Sequence, residues 1–133
     1  MIRLLHRRSN SARSELEEVR RILCRLKVAP AQTRHAVGAG VCLANSDFMG
    51  QFGGIQPFRQ IPPADREQYY SRLSDLEETL RGQELGMALG VGLYRIWLVN
   101  WLAGRRDAAE LLGEELTELS RRAANSEPSV HRG

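Results

Sequence analysis

Residues 83–103, QELGMALGVGLYRIWLVNWLA, are apolar on nearly every side of a helix, and this limits what the chain can become. A helix without a polar face must be surrounded, either by other helices or by lipid. The lipid alternative has some support. The stretch is about twenty residues long, enough for a bilayer core. Gly82, Gly86 and Gly90 form a GxxxGxxxG ladder, Trp97 and Trp101 sit toward one end, and Arg105 and Arg106 flank it. Against it stands Arg95 in the middle, at an insertion cost of about 2.5–3.5 kcal/mol. The glycines and Asn100 dilute the hydrophobicity further. A central helix enclosed by its own chain is therefore expected, with membrane association through 85–103 as a third functional alternative.

Enclosure makes demands on Arg95, because a lone buried charge costs more than a fold can spare. Its expected partner is Glu84 or a carboxylate from the helix on either side, unless the side chain snorkels to the surface. Tyr94, Trp97 and Trp101 fall at i, i+3 and i+7, so they share one stripe. Such a stripe is either core or an aromatic contact surface for a partner.

The flanking segments supply the expected cover. Leu16, Val19, Leu23 and Leu26 make one apolar stripe opposite Glu17, Glu18, Arg20, Arg21 and Arg25, and Ser14 with Glu17 reads as a capping box. Pro30 ends that helix. Val37, Val41, Ala44 and Phe48 then predict a second over about 31–49, although Gly38 and Gly40 each weaken it by about 1 kcal/mol against alanine. Pro62-Pro63-Ala64-Asp65 opens a third helix, with Tyr69, Leu73, Leu76 and Leu80 inward, Tyr70 flanking and Gly82 as its stop. Asp107 opens the last, which buries Ala108, Leu112, Leu116, Leu119 and Ala123. The carboxylates of Glu77, Glu78, Glu114, Glu115 and Glu118 are expected on solvent faces.

Residues 48–63, FMGQFGGIQPFRQIPP, interrupt this pattern with glycine, proline and all three phenylalanines. Met49, Phe52, Ile55, Phe58 and Ile61 recur every three positions, a spacing that suits a polyproline-like strap. The expectation is a long non-helical loop clamped across the bundle, anchored by Phe52 and Phe58, which become partner contacts if exposed. The fold class that follows is all-α: a single-domain bundle of about five helices around 85–103, spanning 1–124. Residues 1–12 form a basic arm and 125–133 a disordered tail.

Composition agrees with a globular domain, at 42% apolar and 26% charged residues over 133 positions. Lys27 is the only lysine, the skew expected of a GC-rich bacterial genome. The net charge of +3 is uneven: residues 1–36 hold nine Arg and Lys against three Glu, whereas 37–133 hold ten against thirteen acids. Cys24 and Cys42 stand in apolar surroundings without a CxxC, as buried free thiols in a reducing cytoplasm would. His6, His35 and His131 are scattered, and no nucleophile elbow or phosphate-cradling glycine pattern occurs. No catalytic residue, metal or cofactor is expected.

What remains is binding. The main expectation is a non-catalytic cytoplasmic protein that binds a protein partner or its own copy as a homodimer, with Phe52, Phe58, Tyr94, Trp97 and Trp101 as candidate contacts. The alternative is a DNA-binding regulator in which residues 14–45 act as a helix-turn-helix. Arg20, Arg21, Arg25, Lys27, Arg34 and His35 would then face nucleic acid.

Overall fold

A computed structural model describes the backbone of residues 12–132 and the side chains of residues 14–124. The basic arm and the tail expected at the two ends lie outside the described side chains. The fold is an all-α bundle with α5 at its centre, built from α1 (Ala12–Lys27), α2 (Ala31–Phe52), α3 (Ile55–Arg59), α4 (Pro63–Arg81), α5 (Leu85–Leu102) and α6 (Arg106–Arg132). Helices α2, α4 and α6 lie directly against α5, and α6 also lies against α2.

α1 buries Val19, Ile22, Leu23 and Leu26 and leaves Arg20, Arg21 and Arg25 in water. It is already helical at Ala12, so Ser14 is not its N-cap as the capping-box pattern suggested. Cys24 lies on the outer side of this stripe and is exposed, contrary to the buried thiol expected; Cys42 is half-buried. Pro30 is the N-cap of α2, and its carbonyl receives the Thr33 and Arg34 amides at 3.0 and 3.2 Å.

α2 owes its place to the two glycines that seemed to weaken it. A Cβ on Gly40 would collide with the Met87 carbonyl oxygen of α5, and one on Gly38 with the Leu119 carbonyl oxygen of α6. Gly90 of α5 meets the Val37 carbonyl in the same way, and Gly86 lies against the Ala36 methyl. Glycine therefore lets three backbones touch, and the packing gained offsets the helix propensity lost. The ladder that suggested a membrane interface serves this contact at Gly86 and Gly90. α5 is long and apolar enough to span a bilayer, and 56% of that window is buried inside the molecule.

The strap expected at 48–63 is corrected. α2 continues to Phe52 and stops at Gly53, whose left-handed φ of 75° returns its amide to the Met49 carbonyl at 2.9 Å. After Gly54 the chain forms the single helical segment α3. A spacing of three fits successive helical turns as well as a polyproline strand, so the pattern could not tell them apart. The glycine pair restarts the helix rather than extending the chain. Phe58 is completely enclosed; Phe52 is half-buried beside it, and Met49 is exposed.

Candidate functional site

An open groove of about 790 Å³ lies between α2, α5 and α6. α5 supplies one wall: Tyr94, Trp97 and Trp101, one turn apart, with ring centroids 5.3 and 6.0 Å from one to the next. The Tyr94 hydroxyl donates to Asn45 Oδ1 of α2 at 2.9 Å, and burial pushes its phenol well above the usual range. It is thus a neutral donor that fixes its ring at the base of the wall. Trp97 lies across α6 at Gly113, where an added Cβ would come within 3.0 Å of the indole Nε1. Ser46, Ala109 and Thr117 are also small, so α2 and α6 leave room between them.

The α6 wall carries Glu110 and Glu114, both exposed, on either side of Gly113. Among the described residues neither has an ion-pair partner. Glu118, one turn further on, differs: it accepts from Arg121 Nη2 at 2.7 and 2.8 Å and from Arg122 Nε at 2.7 Å. These bonds hold its carboxyl below the ordinary range. Cys42 also lines the groove, with its thiol 3.7 Å from the Ser120 carbonyl.

Three of the five candidate partner contacts thus come together on one groove wall. Tyr94 is mainly base, at 4% exposure, while Trp97 and Trp101 are half-buried. Phe58 is corrected: at 0% exposure it is core and has no surface to offer a partner. Phe52 packs against it at 4.7 Å, away from the groove.

The basic candidates are dispersed by comparison. Arg20, Arg21, Arg25 and Lys27 lie exposed along α1, with Arg21 bonded to Glu18 at 2.6 Å. Arg34 donates to the Ala29 carbonyl at 2.6 Å and so braces the turn between α1 and α2, and His35 is exposed beside it. A smaller cleft of about 270 Å³ joins Lys27 and Arg34 to Glu115, Glu118 and Arg122, a mixed set rather than a cationic one. Among the described residues no group of three or more His, Cys, Asp or Glu gathers to hold a metal ion.

One buried polar group departs from the sequence expectation. Glu77, expected on a solvent face, is 1% exposed and lies 3.8 Å from Arg95 Nη2. This is the carboxylate from a neighbouring helix that Arg95 required. Burial pushes the Glu77 carboxyl up to about 7, against the pull of Arg95 and Arg81. From α1, the half-buried Glu15 also feels Arg95 and Arg105, and desolvation raises it as well. A signal was present, because Tyr69, Leu73 and Glu77 fall at i, i+4 and i+8 and continue one inward stripe. Asn100 is likewise buried and satisfied, donating to the Ile96 carbonyl at 2.8 Å and accepting from Arg105 at 3.3 Å. A comparison with protein families, with curated proteins and with solved structures finds nothing that matches this chain.

Proposed function

We propose that the protein acts by binding, and that it takes a segment of a protein partner into the groove between α2, α5 and α6. The observation that carries this reading is the gathering of Tyr94, Trp97 and Trp101 on one wall of a 790 Å³ groove. Tryptophan and tyrosine offer large contact area at low entropic cost, and concave aromatic sites are where binding energy concentrates. Self-association through the same groove is the version in which the partner is a second copy.

The nucleic-acid reading has weaker support. A recognition helix needs a free face for the major groove, but α2 packs against both α5 and α6. Its Arg34 is turned back onto the preceding turn.

Ser46 is exposed on the α2 lip of the groove, so Ser46→Phe fills the space without touching the core. A partner isolated with the wild-type chain should be lost from this variant while its far-ultraviolet circular dichroism stays unchanged. The same partner should remain on an Arg20→Ala, Arg21→Ala variant. Full retention by Ser46→Phe would remove the groove from the interface.

A further inference from the structure

We infer that the groove is built for a cationic partner segment, one that places arginine or lysine side chains between the aromatic wall and the α6 carboxylates. The inference rests on the groove being the partner site and adds the chemistry of what enters it. The α5 wall presents indole rings, whose faces attract a guanidinium or ammonium group. Glu110 and Glu114 line the same groove from α6, four residues apart, about 6 Å along the axis at 1.5 Å per residue. Alternate side chains of an extended peptide repeat at about 6.6 Å, so two such cations can meet both carboxylates in register.

These carboxylates are also the uncommitted ones. Among the described residues Glu110 and Glu114 have no ion pair, whereas Glu118 on the same helix holds two arginines. Like charges four residues apart repel on a helix, and a ligand cation relieves that repulsion. An acidic segment would add to it. The lining of α6 runs from Ala109 to Ser120, about 16 Å, which accommodates roughly five extended residues. The whole chain carries a net charge of +3, so its overall field does not draw in cations. Preference for a cationic peptide must come from a local site.

Trp97 and Trp101 are the only tryptophans in the chain, and both line the groove, so their emission reports its occupancy. The probe is a capped hexapeptide alternating arginine and leucine, titrated into the full chain at low salt. Its controls carry glutamine or glutamate in place of arginine. The arginine peptide should shift the emission and bind about tenfold tighter than the glutamine peptide, with the glutamate peptide weakest. In Glu110→Gln, Glu114→Gln the preference should shrink to about threefold or less, and Ser46→Phe should abolish the shift.

Equal binding of arginine and glutamine peptides, with Ser46→Phe still abolishing it, would overturn the cationic class and leave the groove standing. A shift that survives Ser46→Phe would overturn the groove itself. Absence of a shift with every peptide, or a shift that grows with protein concentration alone and assigns the groove to a second copy, would also overturn the inference.

Discussion

Phe58 is enclosed by Phe48, Phe52, Tyr69 and Tyr70, with centroid distances between 4.7 and 6.2 Å, mostly edge to face. That arrangement suits the ring quadrupoles, and it ties α3 to α2 and α4. Phe58→Ala should therefore cost about 3–5 kcal/mol in chemical denaturation. A loss under about 1 kcal/mol would mean that the ring is not core. Glu77 makes the second prediction at this scale. Its carboxyl, faced by Arg95, Arg81 and Glu78, is raised from the usual 4.5 to about 7. Below about pH 4.5 both folded and unfolded chains hold this proton, and the stabilisation is fully present. Between about 4.5 and 7 the unfolded chain releases it first, so stability falls as pH rises, by up to about 3 kcal/mol. Glu77→Gln should flatten the difference in unfolding free energy across that window. Identical pH profiles for the two proteins would contradict the assignment.

Helix contacts depend on glycines whose roles are opposite in sign. Gly40 and Gly90 press against carbonyl oxygens of the facing helix, and backbone cannot yield as a side chain can. Gly40→Ala and Gly90→Ala should each destabilise by about 1–3 kcal/mol despite alanine's better propensity. Gly50 lies near the end of α2, where an added methyl would meet nothing within 4 Å, and Gly50→Ala should stabilise by about 0.5–1 kcal/mol. Denaturation midpoints in the reverse order would mean that α2 and α5 do not approach so closely. At this scale the sequence is readable where a single apolar stripe carries the packing, as in α1, α4 and α6. It was less readable in α2, which two helices flank, because contacts on both sides erase the single apolar face that periodicity detects. It misled at Gly53-Gly54, where a spacing of three served two conformations equally. The charge of Glu77 points to water, whereas its position on the Tyr69–Leu73 stripe turns it inward.

At the scale of the whole molecule, the enclosed central helix followed from residues 83–103 alone, because a helix without a polar face leaves few ways to fold. The aromatic stripe on that helix was visible too. Its companions were not: the groove depends on α2 and α6 meeting at Gly38 and leaving a gap lined by Ser46, Gly113 and Thr117. That is a tertiary fact with no local signature. The two cysteines happen to mark the two competing surfaces, since Cys42 lines the groove and Cys24 is exposed on the basic helix α1. Alkylation rates of both thiols, measured by mass spectrometry with and without the captured partner, therefore test the groove directly. Partner binding should slow Cys42 severalfold and leave Cys24 unchanged. Protection of Cys24 with Cys42 still reactive would contradict the groove and place the interface on α1.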